Sequence, residues 1–174
     1  VSASQGPPAR HLWKSGSGRV WRCRCPQLHE EKAMTELDHN KAIVRQLLEQ
    51  GFNNNDLTQW DELTSPQVEM RSSPTAPPAD RDAWTQNVSA LHHAFPDIAV
   101  TIEDMVAEGD TVAVLETIRG TQDGKFLGFA ATNRSVTIHA CAIFQIRDGR
   151  IVAVTTVADM LGLLAQLGHV SLPS

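Results

Sequence analysis

The sequence predicts an α+β fold in which N-terminal helices cover one face of a curved antiparallel sheet. Apolar residues recur at helical spacing up to Pro96, and from Ile98 onward they alternate at the spacing of strands. Helices followed by hairpin-linked strands are the order of an α+β domain. Helices across a curved sheet form a cone, and we expect its interior to be a pocket for a small molecule.

Each element has a boundary signal. In the first half, caps and breakers such as Asp38, Gly51 and Pro96 bound the predicted segments. These are helices over 37–53, 57–63 and 81–93, with a short strand over 68–72. In the second half, turn sequences ending in Gly or Asp separate alternating segments. These are strands over 98–106, 111–120, 135–146 and 150–157, closed by a helix over 160–167.

Residues 1–33 differ from the rest of the chain. They carry six basic and two acidic side chains, so residues 34–174 have a net charge of −9 within the whole chain's −5. We expect a disordered basic leader, because this stretch has no apolar period. One interpretation is that Met34 is the natural start and the leader is upstream or added sequence. The other is a nucleic-acid-binding arm, which a short run without repeated aromatic residues disfavours.

The composition limits which kinds of partner the protein is expected to bind and in which compartment it is expected to be found. The acidic body disfavours nucleic acid as a partner, and no apolar stretch is long enough for a membrane span. Cys23 and Cys25 have no histidine or second cysteine pair at ligand spacing, so we expect no metal site. Cys141 stands alone in the body, which is consistent with a cytosolic protein.

Asp159 is the candidate functional residue that stands out. It follows the apolar segment 151–158, which offers no cation to neutralise it, and it precedes the last helix. It either caps that helix or acts as a partly desolvated general base in the pocket, and the two roles are compatible.

The register of the last hairpin decides which side chains accompany Asp159. A three-residue loop, Arg147-Asp148-Gly149, would pair His139 with Val157 and place Asp159 on the polar face of residues 135–147 with His139 and Gln145. A two-residue Asp-Gly turn would put His139 on the opposite face. We prefer the first register because it gathers the polar side chains. His139 would then be catalytic and Gln145 would bind substrate; the other interpretation of His139 is a structural histidine.

Four blocks of the body resemble the SnoaL-like polyketide cyclase, or ester cyclase, family, whose fold is the nuclear-transport-factor type of cone. The blocks are Phe95-Pro96-Asp97, the stretch 103–113 (EDMVAEGDTVA), the stretch 120–128 (GTQDGKFLG) and the stretch 148–168. The resemblance covers about residues 36–168. The chain departs from the family pattern at Gln122, at Asn133, at Thr155 in place of a Trp, and at Arg71 in place of a His.

The resemblance implies an aldol-type ring closure on a small hydrophobic carbonyl substrate, without metal or organic cofactor. Asp159 matches the family's catalytic acid/base and would remove a proton α to a carbonyl, while neutral donors hold the enolate. The alternative is a non-catalytic binding or dimerisation module of the same fold. In either case we expect a homodimer formed through sheet faces.

Four further residues are candidates for substrate binding. Trp84 either packs its helix on the sheet or lines the pocket, and Phe126 belongs to the 120–128 block. Gln122 lies either on the surface or at the pocket rim. Arg71 either favours an anionic substrate at the pocket mouth or forms a surface ion pair. The absence of tyrosine disfavours ketosteroid isomerase and limonene epoxide hydrolase functions, which use Tyr in this kind of cone.

Overall fold

The computed structural model describes residues 27–171 and confirms the α+β class. The helices are α1 (Gln27–Gln46), which continues as a π-helical segment (Leu47–Phe52), α2 (Leu57–Leu63), α3 (Arg81–Ala94) and α4 (Met160–Leu167). The strands are β1 (Thr64–Arg71), β2 (Ala99–Glu108), β3 (Thr111–Thr121), β4 (Ser135–Arg147) and β5 (Arg150–Ala158).

The first helix begins earlier than predicted. It starts at Gln27 instead of residue 37, so residues 27–33 of the expected leader belong to α1. The reason is local: the stretch 27–33 (QLHEEKA) contains mostly good helix formers and neither Gly nor Pro. The remainder of the predicted leader, residues 1–26, lies outside the described residues.

The five strands form one curved, unclosed sheet in the order β1-β5-β4-β3-β2. The four strands from β2 to β5 pair antiparallel with their sequence neighbours, as a meander does. At one edge, β1 pairs with β5 in parallel, which the strand pattern alone did not indicate. The C-terminal end of β1 therefore lies beside the C-terminal part of β5, near the start of α4.

The sheet has an apolar inner face. In β4 the residues from Val136 to Ile146 at every second position are buried, and those between them are exposed. The inner face packs with α3, α4 and the π-helical segment, whose Leu47 and Leu48 are also buried. Burying a side chain of this size contributes roughly 1.5–3 kcal/mol, so the alternation fixes which face of β4 points inward.

The predicted register of the last hairpin is wrong. Asp148 and Gly149 form a two-residue turn with positive φ at both positions (51° and 73°), which matches the twist of the flanking strands. Arg147 therefore pairs with Arg150. A bulge then absorbs Val152, because Ile146 pairs with Ile151 whereas Gln145 pairs with Ala153.

Candidate functional site

A cavity of about 610 Å³ lies between the inner face of the sheet and the helices. Its interior wall is apolar, because it is formed by the residues that the strand and helix periodicities turn inward. Representative wall residues are Leu47, Phe52, Val88, Phe95, Ile138, Phe144 and Leu163. The volume is in the range of sites that hold drug-sized small molecules.

Polar groups among the lining residues are found mainly at exposed positions. Ser72, Asn87, Arg119 and Lys125 line the cavity and are all exposed. Arg119 and Lys125 give this rim a positive charge. The cavity is therefore apolar inside with two cations at its edge.

Glu116 is the buried ionisable residue of the cavity lining. It occupies an inward position of β3, lines the cavity and is only 4% exposed. Its neighbours on the inner face are Val114 and Ile118 along the strand and, across the strands, Ile102 and Ala140. None of these four side chains can donate a hydrogen bond, and Glu116 Oε2 has no partner in the described part of the chain. Burial raises the pKa of Glu116 to about 7, because desolvation disfavours the charged form.

Glu116 was missed by the sequence reasoning, although a signal was present. The inner positions of β3 read Val112, Val114, Glu116, Ile118 and Gly120, so a carboxyl group interrupts an apolar alternation. The interruption at Asp159 drew attention because it falls at a strand end. A carboxyl group in the middle of an apolar face is the stronger anomaly, since water reaches it less easily.

Trp60 provides a second polar atom in the cavity wall. Its side chain is 4% exposed and lines the cavity, and its Nε1 has no hydrogen-bond partner in the described part of the chain. An indole N–H is a donor only, so it requires an acceptor when buried. Trp60 and Glu116 are thus the buried lining residues whose side chains carry a polar atom, while Trp84 and Thr156 also line the cavity and are half-buried.

Asp159 lies between two lining residues, Ala158 and Met160, and is itself exposed. It is the N-cap of α4: its Oδ1 accepts a hydrogen bond from the Gly162 N–H at 2.8 Å. Gly162 is required for this arrangement, since a Cβ there would overlap the Asp159 carboxylate. The capping role is therefore present in the structure, whereas Asp159 itself is not one of the residues that line the cavity.

The polar face of β4 points away from the cavity, contrary to the predicted register. His139 and Gln145 are exposed on the outer face, and His139 Nδ1 lies 3.1 Å from Thr117 Oγ1. The Asp159 N–H donates to the His139 carbonyl at 3.1 Å, so the backbones of these two residues are adjacent. Their side chains do not share the cavity, because the apolar face of β4 is the one that the helices cover.

The side chains of Gln122 and Arg71 form hydrogen bonds with nearby loops and do not line the cavity. Gln122 is fully buried; its amide N–H groups donate to the Gly124 and Ala130 carbonyls, and its Oε1 accepts from the Thr132 hydroxyl at 2.8 Å. Gln122 thereby holds the loop between β3 and β4, which is neither of the predicted positions. Arg71 pairs with Glu69 at 2.9 Å and donates to a loop carbonyl.

Trp84 and Phe126 both line the cavity. Trp84 comes from α3 and Phe126 from the loop that Gln122 anchors. Phe126 packs edge-on against Phe95, with ring centroids 5.2 Å apart. The hydrogen bonds of Gln122 therefore position one aromatic wall of the cavity.

Among the side chains of residues 36–171, no group of three or more His, Cys, Asp or Glu is arranged to hold a metal ion. Residues 27–171 contain no helix long and apolar enough to cross a membrane.

Comparison with known proteins identifies the family. The sequence model described as SnoaL-like polyketide cyclase matches residues 42–167, and the chain belongs to this family. No curated protein sequence matches the chain.

Solved structures agree with that assignment. IdmH of Streptomyces antibioticus, described as a candidate polyketide cyclase, is 32% identical over 74% of this chain and 98% of its own, with a TM-score of 0.68. AclR of Streptomyces galilaeus, described as a candidate hydroxylase, is 25% identical over 79% and 87%, with a TM-score of 0.72. TsrD of Streptomyces laurentii is 25% identical over 76% and 97%, with a TM-score of 0.68.

Replacing Glu116 with Gln should change how stability depends on pH. A carboxyl group whose pKa rises from 4.5 to about 7 on folding binds its proton more tightly in the native state. The free energy of unfolding therefore falls as pH rises from 4.5 to 7, by roughly 3 kcal/mol in total, and stays lower above pH 7. In E116Q this decrease should be absent, so the variant should gain stability relative to wild type above pH 7.

Urea unfolding at pH 5, 7 and 8.5 measures the effect, and E103Q, at an exposed position of β2, is the matched control. The same pH slope in E116Q as in wild type would show that Glu116 titrates normally.

Proposed function

We propose that this protein binds a small hydrophobic carbonyl compound in the cavity and closes a ring in it by aldol-type carbon–carbon bond formation. The observation that carries this proposal is the apolar cavity of about 610 Å³ with polar atoms at only a few interior points. Such a site binds a mostly apolar molecule and orients it through a small number of polar contacts. Membership of the polyketide cyclase family supports the same class of substrate.

Asp159 is the proposed base. It matches the catalytic acid/base of the family, and the residues on both sides of it line the cavity. The Gly162 N–H donates to Oδ1, and that hydrogen bond fixes the orientation of the carboxylate. A substrate carbon held beside Oδ2 would lose its α proton to Asp159, and the enolate would attack a second carbonyl of the same molecule.

The second candidate function is binding without catalysis. One observation favours it: the Asp159 carboxylate already serves as the cap of α4 and is exposed. A cap alone would account for an Asp at this position. The two functions differ in one respect. Catalysis requires the negative charge of Asp159, whereas binding requires only that residue 159 still caps α4.

We also propose that two copies associate through the outer face of the sheet. Leu115, Cys141 and Val157 lie in one cross-strand row on that face, with Ile143 beside them, and all four are exposed. An apolar row of this kind favours contact with a second copy of the same face about a two-fold axis.

Replacing Ile143 with Lys should weaken this association, because a charge would be buried in the interface. Sedimentation velocity on wild type should give a dimer and on I143K a monomer at the same concentration, with unchanged far-UV circular dichroism. T101K, on exposed strand β2 outside this row, is the control and should remain dimeric. A monomeric wild-type protein would refute the interface.

Replacing Asp159 with Asn should abolish turnover and leave the fold intact. Asn is as good an N-cap as Asp, so the thermal transition should move little, whereas an amide cannot take the proton. Loss of a positioned general base typically costs 10²- to 10⁴-fold in rate. D80N is the matched control, since Asp80 caps α3 by accepting from the Ala83 N–H at 2.8 Å.

The assay compares turnover and melting temperature of wild type, D159N and D80N with an aromatic polyketide analogue that carries two carbonyl groups. Full activity in D159N would show that Asp159 is only a cap and would favour the binding function.

A further inference from the structure

Two buried polar atoms, Glu116 Oε2 and Trp60 Nε1, have no hydrogen-bond partner within the described residues. Leaving a buried polar group unsatisfied costs about 1–3 kcal/mol, so such atoms are uncommon in folded proteins. Both belong to side chains that line the same cavity. A ligand that brings oxygen atoms into an apolar interior would satisfy them.

We propose that Glu116, as a neutral carboxylic acid, is a catalytic residue that donates a hydrogen bond to the carbonyl oxygen of the bound substrate and to the enolate oxygen that forms from it. This inference rests on the proposed function, since it assigns a residue within the same reaction. It names the substrate class as a ketone whose oxygen points toward β3, and it gives Glu116 a role that differs from that of Asp159.

The strand register places Glu116 and the residue that precedes Asp159 at opposite ends of one row. Glu116 pairs with Ala140, and Ala140 pairs with Ala158, the residue before Asp159. Adjacent strands are about 4.8 Å apart, so β3 and β5 are separated by roughly 10 Å. The row between them carries only methyl side chains. Glu116 and Ala158 both line the cavity, so a substrate held between them would have its carbonyl oxygen at Glu116 and its α carbon on the side of Asp159.

The charges around Glu116 do not oppose the effect of burial, which keeps its carboxyl group mostly protonated below pH 7. Arg119 and Lys125 are the other charged residues of the cavity lining, and both are exposed at the rim. Charged groups on the neighbouring strands, Glu103 and Asp104 in β2 and His139 in β4, are also exposed. Lining residues from α3 and α4 carry no charge. Burial therefore dominates, which is why the pKa of Glu116 rises to about 7.

The proposed steps balance without a cofactor. Asp159 takes the α proton as the C–H bond breaks, and the electron pair moves onto the carbonyl oxygen, which Glu116 holds by its O–H. The enolate carbon then bonds to the second carbonyl carbon, and the first carbonyl re-forms while Glu116 keeps its proton. The new alkoxide receives the proton from Asp159, so the product is an isomer of the substrate.

Binding of a ketone probe and its isosteric hydrocarbon tests this role without turnover. The probes are 1-acetonaphthone and 1-isopropenylnaphthalene, which has CH₂ in place of the carbonyl oxygen. Titration calorimetry on the full chain at pH 6 and pH 8.5 should show the ketone binding roughly tenfold more weakly at pH 8.5, the size expected for loss of one hydrogen bond. The hydrocarbon should bind equally at both values.

Two variants separate hydrogen bonding from ionisation. In E116Q the amide still donates but cannot ionise, so ketone affinity should be the same at both pH values. In E116L the preference for the lower pH should also disappear, and the carbonyl stretching band of the bound ketone should lie at higher frequency than in wild type. If E116L does not fold, wild type and E116Q still decide the matter.

The outcomes distinguish this inference from the proposed function. Binding of both probes with no pH dependence in wild type, or tighter ketone binding at pH 8.5, would overturn the role of Glu116 and leave the cavity function standing. Failure of both probes to bind would overturn the cavity function and this inference together.

Discussion

Strand side chains alternate between two faces, and in this sheet the inner face has to be covered by apolar groups. The helices and the π-helical segment cover part of that face, and the remaining area forms the wall of the cavity. The same constraint fixes the direction of every side chain in β3 and β4. It sends His139 and Gln145 outward, and it leaves Glu116 inside, where its only neighbours on the face are apolar.

The two carboxyl groups of the site differ in environment. Asp159 is exposed and accepts a backbone hydrogen bond at the start of α4. Glu116 is buried, and its Oε2 has no partner in the described part of the chain. Environments that differ in this way allow one carboxyl group to act as a base and another to remain protonated at neutral pH. We infer that the cavity serves proton transfer at a carbonyl compound, with the acid in its wall and the hydrogen-bonded carboxylate on the residue between two of its lining residues.

Much of the fold could be predicted from the sequence, because periodicity and capping are local. The bounds of α2 and α4 were predicted correctly, and those of α3 and the last four strands within one or two residues. The hairpin register was not, since the preferred three-residue loop is in fact a two-residue Asp-Gly turn, and the bulge at Val152 shifts every later pair by one more residue. The start of α1 was missed because a charged stretch without an apolar period suggests disorder even when its residues favour a helix.

The site was harder to predict than the fold. The apolar cavity and the position of Asp159 between two of its lining residues follow from the element order. The prediction that His139 and Gln145 accompany Asp159 depended on the hairpin register, which was wrong. Gln122 was expected at the surface or the rim and is instead fully buried, because three hydrogen bonds within its own loop satisfy it. Glu116 lies on the face of β3 that alternation identifies as buried, so the sequence of β3 does contain a signal for a buried carboxyl group.

The most direct test is the titration of the Glu116 carboxyl carbon by NMR, in the full chain labelled with ¹³C at glutamate Cδ and assigned by comparison with E116Q. A pKa of about 7 is expected, because the group is desolvated. A midpoint near the ordinary glutamate value of about 4.3 would mean that water reaches Glu116 and would contradict a neutral acid in an apolar wall.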